Sequence, residues 1–479
     1  MSGEREKSRT VLVLGVGPLP PENPPRLHAP GLRTWAFAQF LADRDFRVVI
    51  ASVGFASGAA TPAPVTNGER PASIALPHDI TAYQLPYDIE VAAEQLRLID
   101  AEHCPRCVVS TTDYMNLVAV KAALPIPLWL DFNGQPMSER QLLGDVYASD
   151  AGLAGQWEFV VPSLLAGDHF SACSDRQRYM LLGELGAVGR LNRLTTATSL
   201  VDVLVPYHLT YTTFEHTRNV LRGICVRADD FVLLWSGGYN TWTDVDTLFH
   251  GLELAMAKNA KILFVSTGGA IPGHDDRTFE RFRQMVEGSP NRGRYRLCGW
   301  VPSEDMPNYY LESNAAINID RWSIEALVGH RNRILDWIMA GLPVLTTPLC
   351  ELAKDLADRR LVTPFHAGDP HDLGRQLVHV VEHTAEAMGR AAQAREYVRL
   401  MLSADITLAP LAEWVAHPQA APDLPPLSVR PELGVWGPSN SLAALHRNAV
   451  AQPDTAGESK LETRAKDKEK RVFARFFGR

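Results

Sequence analysis

Twice along the chain, short β-branched runs alternate with helix-patterned stretches, and this repeated alternation limits the possible folds more than any other feature. Strand patterns fall at Val11–Val16, Arg47–Ser52, Cys107–Thr111, Pro127–Asp131, His169–Ser174 and Val201–Val205. They recur at Phe231–Ser236, Lys261–Ser266, Arg294–Cys298, Ala315–Ile319 and Val344–Thr346. Strands spaced by helices pair in parallel and are covered by helices. The expected fold class is α/β, with two Rossmann-like domains facing each other across a cleft. The chain of 479 residues also exceeds what one core organises, since single cores stop growing near ~250–300 residues. Expected boundaries are 10–207 and 228–416, followed by a Pro-rich linker over 417–459 and a basic tail over 460–479. Pro-rich composition favours an extended linker.

Charge and cysteine content narrow the functional classes. Formal net charge is −8, yet residues 460–479 carry a local +5, leaving −13 on the other 459 residues. An acidic body argues against general nucleic-acid binding. Of six cysteines only Cys104 and Cys107 are close-spaced, and a lone CxxC without a second ligand pair is read as reduced, structural thiols. No apolar run approaches the ~18 residues of a spanning helix, and the N-terminus lacks a secretory core. A cytoplasmic location is expected. In the tail, Val472, Phe473, Phe476 and Phe477 share a helical face among basic residues, a pattern suited to anionic lipid surfaces or to a partner, and equally compatible with a disordered basic tail.

The motifs lie at expected strand ends, where open α/β sheets bind ligands. Gly15-Val16-Gly17 fails as a dinucleotide fingerprint, because the third glycine position is Pro20 and the second strand ends in Ala51-Ser52 rather than an acid. Gly31 and Arg33 open a helix where backbone can approach an anionic ligand, or form a plain helix entry. Gly237, Gly238 and Tyr239 follow a strand, so amides there can turn toward a diphosphate. Asp244-Val245-Asp246 mimics a metal-binding DxD, but its place at a helix start favours capping; no metal site is expected. Asp113, Asp131 and His169 sit near first-domain strand ends as candidate acids, bases or sugar-hydroxyl acceptors. In the stretch from Glu325 to Pro348, Arg331 and Arg333 stand at a helix start that can hold phosphate. Asp336 follows on that helix, which ends in Ala340-Gly341-Leu342-Pro343.

Residues 235–242, Cys298-Gly299-Trp300-Val301-Pro302 and Asp336–Pro343, taken in order, resemble the nucleotide-sugar-binding domain of GT-B glycosyltransferases, closest to the retaining GT4 group. The resemblance spans about 10–415. It implies that Gly237 and Gly238 meet the donor diphosphate, that Trp300 and Val301 contact the base, and that Asp336 holds the ribose. Three departures stand out. Glu325 and Asp336 lie eleven apart rather than eight, and Val328 occupies the position eight before Asp336. No Arg or Lys lies between Gly237 and Asp246, so Arg331 or Arg333 is expected to meet the diphosphate. Asp131 stands where many members have a histidine.

The resemblance implies glycosyl transfer from a nucleoside-diphosphate-sugar to an acceptor hydroxyl, in cell-envelope polysaccharide or glycolipid synthesis. The nucleotide-sugar is then a substrate, and no cofactor is expected. Asp131, Asp113 and Glu325 are the expected catalytic carboxylates. A nucleotide-sugar epimerase of the same plan, or a non-catalytic nucleotide-binding protein, would share these features.

Overall fold

The computed structural model describes residues 5, 8–54, 71–206 and 214–430. The first lobe carries β1 (Thr10–Val16), β2 (Arg47–Val53), β3 (Ser73–Leu76), β4 (Ile80–Leu85), β5 (Cys107–Ser110), β6 (Leu128–Phe132), β7 (His169–Ala172) and β8 (Val201–Val203). Its sheet runs in the order β3-β4-β2-β1-β5-β6-β7-β8, parallel except for the β3–β4 pair. The second lobe carries β9 (Phe231–Ser236), β10 (Ile262–Thr267), β11 (Tyr295–Leu297), β12 (Ala315–Asn318), β13 (Val344–Thr346) and β14 (Thr363–Pro364). Its parallel sheet is ordered β11-β10-β9-β12-β13-β14.

The central strands are hydrophobic on both faces, as burial between helix layers requires. Every residue of β1, β9 and β10 is buried. Two apolar clusters flank each sheet, one on either face. Strand order reverses between β1 and β5, and again between β9 and β12. At such points adjacent loops splay apart and leave a crevice beyond the carboxyl ends of the strands. The loops bearing Asp113, Gly237 and Asp320 all leave strands that flank these points.

The helices start where side chains satisfy their free amides. Thr112 caps Asp113–Ala122, Ser174 caps Asp175–Ala187, and Asp244 caps Val245–Lys258. Asp246 is paired to Arg281. Asp244-Val245-Asp246 is thus engaged in capping and surface pairing.

The end of the described chain departs from the linker expectation. After helix Thr384–Met401, Leu408, Leu411 and Val415 enter the first-lobe core beside Val11, Phe37 and Trp129. Trp414 packs edge-on against Trp129 at 5.4 Å. Residues 417–430 do not stretch out as Pro-rich composition suggested. Asp423 pairs with Arg190 at 2.7 Å, and Asp168 accepts from the Ala421 amide and both terminal nitrogens of Arg430, each at 2.7 Å. Buried charge pairing holds this segment where composition alone would let it extend. The rest of the expected linker and the basic tail lie outside the described residues.

Candidate active site between the lobes

In the second lobe, β9 delivers the chain into Gly237, whose φ of +95° lies where an L side chain is strained. Behind this turn stands Arg333, from the helix Asn332–Met339. Its Nη2 donates to the Gly238 carbonyl at 3.2 Å, and its guanidinium lies over the Trp235 ring, 4.4 Å from the centroid. Its Nη1 is buried with no hydrogen-bond partner. Burial lowers the Arg333 pKa to about 10, so it remains a cation at neutral pH in a poorly solvated place. Gly238 packs against Ile271 and Trp300, and the Trp300 indole donates to the Ala270 carbonyl at 2.9 Å. Val301 packs against the core cluster beneath that helix. Asp336 lies on the same helix, buried.

Arg331, expected beside Arg333 as a phosphate ligand, is already committed. Its Nε donates to Asp320 at 2.9 Å, and its terminal nitrogens donate to Glu325 at 3.0 and 2.7 Å. All three side chains are buried. Burial works against the Arg331 charge, but Asp320 and Glu325 hold its pKa well above the ordinary value. Glu325 is therefore a partner of Arg331 rather than a free cleft carboxylate, and burial raises its pKa despite that partner.

The first lobe repeats this pattern. Asp131 is fully buried, accepts two bonds from Arg33 at 3.0 and 2.8 Å, and accepts a third from Ser171 at 2.5 Å. Arg33 spends its remaining terminal nitrogen on the Leu204 carbonyl. The expectations of Asp131 as a cleft carboxylate and Arg33 as an anion ligand are thus corrected, because each neutralises the other. Gly31 permits a close approach, but to protein: a Cβ there would sit 2.2 Å from the Pro18 carbonyl oxygen. Tyr239 is a core residue, with its hydroxyl on Ser266 at 2.9 Å and its ring among Trp235, Phe279 and Phe282. His169 opens β7, away from the carboxyl edge, and its Nε2 lies 2.8 Å from Asp202.

Asp113 does line open space, a cleft of about 800 Å³ shared with Asn133, Glu139, Arg140, Gln156 and His274. Its carboxylate accepts from Gln156 at 2.9 Å and from the Tyr114 amide at 2.9 Å. Two further side chains were missed in the sequence. Glu139 is half-buried in the cleft, and its pKa is pushed up to about 8, first by burial and then by Glu325 and Asp113. It is then mostly protonated at neutral pH and can donate a hydrogen bond. His330 has its pKa lowered to about 4 by burial, with Arg33 and Arg331 adding to the shift. Its Nδ1 lies 2.9 Å from Asn332 Oδ1, while Nε2 is buried without a partner. Glu139 lies eight residues past Asp131, and His330 adjoins Arg331. Both were within reach of the sequence, but only burial gives them their chemistry.

Direct contacts join the lobes. The Val328 carbonyl accepts from Ser174 Oγ at 2.6 Å. Glu351 accepts from the Asp175 and Arg176 amides at 2.8 Å each, capping a first-lobe helix from the second lobe. Arg176 bonds the Leu349 carbonyl at 2.7 Å, Ser303 bonds the Pro24 carbonyl at 2.9 Å, and Arg26 lies over the Trp300 ring.

By sequence, no family model and no curated protein matches this chain. Solved structures do. Sucrose-phosphate synthase from Thermosynechococcus elongatus superposes with a TM-score of 0.60 at 12% identity, over 84% of this chain and 97% of that one. The fold is that of the GT-B glycosyltransferases. WaaG, a glycosyltransferase involved in lipopolysaccharide biosynthesis, matches with a TM-score of 0.54 at 14% identity, over 85% of this chain and all of that one. Anabaena HepE, solved with UDP-glucose, matches at 0.54 and 13% identity, over 84% and 98%. In GT-B terms, the Gly237–Gly238 turn with Arg333 belongs to the second lobe, and the cleft of Asp113 and Glu139 mainly to the first. The arrangement offers a poorly solvated cation at a glycine turn, a carboxyl on Glu139 whose pKa is pushed up to about 8, and the side chain of Asp113 lining the same cleft. No group of metal-binding side chains occurs among the described residues.

Proposed function

We propose that the protein is a glycosyltransferase that moves a sugar from a nucleoside diphosphate to an acceptor hydroxyl. The observation that carries this reading is Arg333, a desolvated guanidinium with an unused Nη1 directly behind the Gly237–Gly238 turn of a GT-B second lobe. Electrostatic stabilisation of a departing diphosphate needs a fixed positive group in a poorly solvated place. Arg333 takes that role in place of Arg331, whose charge is used within the protein. Gly237 and Gly238 supply approach, Asp336 the ribose contact, and Trp300 with Val301 the base contact. In the first lobe, Asp113 orients the acceptor and Glu139 donates a hydrogen bond to the sugar or its leaving group. The ordered resemblance of residues 235–343 supports retention of anomeric configuration and a likeness to the GT4 group as part of this reading. The HepE complex with UDP-glucose makes UDP-glucose the first donor to try. A lipid-linked or envelope glycan acceptor accords with the basic tail 460–479. Tail deletion that leaves liposome sedimentation unchanged would remove the membrane part of this reading.

Thermal unfolding against UDP, GDP, ADP and their sugar conjugates, with and without EDTA, tests the donor site. Ligand at a hundred times its dissociation constant stabilises by about 2.7 kcal/mol. Arg333→Ala should weaken diphosphate binding by roughly 10- to 100-fold, the value of a charged hydrogen bond of about 1.5–3 kcal/mol. Unchanged affinity in that variant would overturn the assignment. Donor consumed without acceptor would instead indicate an isomerase, and binding without turnover a non-catalytic protein.

A further inference from the structure

Beside the cleft, at the carboxyl edge of the first sheet, the described residues leave an aromatic surface uncovered. Tyr87 follows β4 and is 62% exposed. One face of its ring is stacked on Tyr114, with centroids 4.5 Å apart and planes within 15°. Tyr114 is braced in turn by Phe159 at 6.1 Å. Stacking fixes the Tyr87 plane, and among the described residues no second ring covers its outer face. Tyr114 directly follows Asp113, which lines the cleft and is held by Gln156, also a cleft residue. A carboxylate and a carboxamide therefore adjoin a rigid aromatic plane.

That combination selects a ligand class. A pyranose ring has apolar C–H faces and a rim of hydroxyls, so it suits a flat aromatic surface with hydrogen-bond acceptors at its edge. An apolar peptide or acyl chain would have no use for the carboxylate, whose two oxygens offer about four acceptor sites. Among the described residues two of those are used, by Gln156 and the Tyr114 amide.

We infer that Tyr87 is the stacking platform of a saccharide subsite, so that the acceptor is a glycan of more than one ring, with one ring at Asp113 and a neighbouring ring on Tyr87. This rests on the reading that the first-lobe cleft takes the acceptor. Tyr87 positions the glycan and takes no part in bond making.

The test is calorimetric titration of the full-length protein with maltotriose, cellotriose and chitotriose, with the UDP-induced melting shift measured in parallel. At least one trisaccharide should bind. Tyr87→Ala should weaken it about tenfold, the upper range for one aromatic contact, while Tyr87→Phe keeps the affinity and both variants keep the UDP shift. Equal binding by wild type and Tyr87→Ala would overturn the subsite. So would the absence of binding by all three sugars; a normal UDP shift in that case leaves the donor-site reading standing. Tyr87-dependent saccharide binding without any nucleotide response would support the subsite and count against the transferase reading.

Discussion

Arg331 sits between Asp320 and Glu325, and all three are buried. Removing one member of a buried ion cluster leaves the others uncompensated, at a cost of about 3–5 kcal/mol. Arg331→Ala should therefore lower unfolding free energy by that amount in urea titration. A loss below about 1 kcal/mol would mean the cluster is solvated. Glu139 gives a pH signature. Its unfolded pKa is the ordinary 4.5, whereas the folded value is about 8. Between these values the folded state binds more protons, so stability falls as pH rises through the window and levels off above it. Glu139→Gln should melt near wild type at pH 4.5 and progressively above it towards pH 8.5. A gap that stays constant with pH would show that the folded pKa is not raised. The sequence put Asp113 near a first-lobe strand end and Arg333 at a helix start, but it could not show which charges cancel. Asp131 and Arg33 are 98 positions apart, and nothing local in either segment announces the other.

Among elements, the helix Asp175–Ala187 shares its start between its own Ser174 cap and the other lobe. Glu351 accepts from its first two amides, where a carboxylate also meets the positive end of the helix dipole. Loss of a cap costs about 1 kcal/mol. Because this cap spans the lobes, Glu351→Ala should shift the protein towards an open form. Small-angle scattering should show a larger radius of gyration, and UDP should partly reverse it. An unchanged radius would mean that the Val328 and Leu349 carbonyl contacts suffice. Eleven strands of the two sheets were legible as β-branched runs between helical patterns. β3, β4 and β14 were not. Thr81 and Gln84 break the apolar run of β4, exposed residues make up most of β3, and β14 has only two residues.

At the scale of the molecule, the lobes are not separable pieces of chain. Leu408, Leu411 and Val415 complete the first-lobe core, and Asp423 and Arg430 bind Arg190 and Asp168. A fragment of residues 8–206 should aggregate or melt early alone, and should gain stability when a peptide of residues 403–430 is added. Equal melting with and without the peptide would contradict this. Pro-rich composition hid the arrangement, since the pairings that fix 417–430 are contacts with distant residues.

This return of the chain sets an order on its birth. The ribosome emits the fourteen described strands before it makes the residues that seal the first lobe. At about 5–20 residues per second, the first lobe waits roughly ten to forty-five seconds after its own last strand, with the apolar floor around Trp129 open to other nascent chains. Chaperone demand should accordingly concentrate on the half of the protein that is translated first.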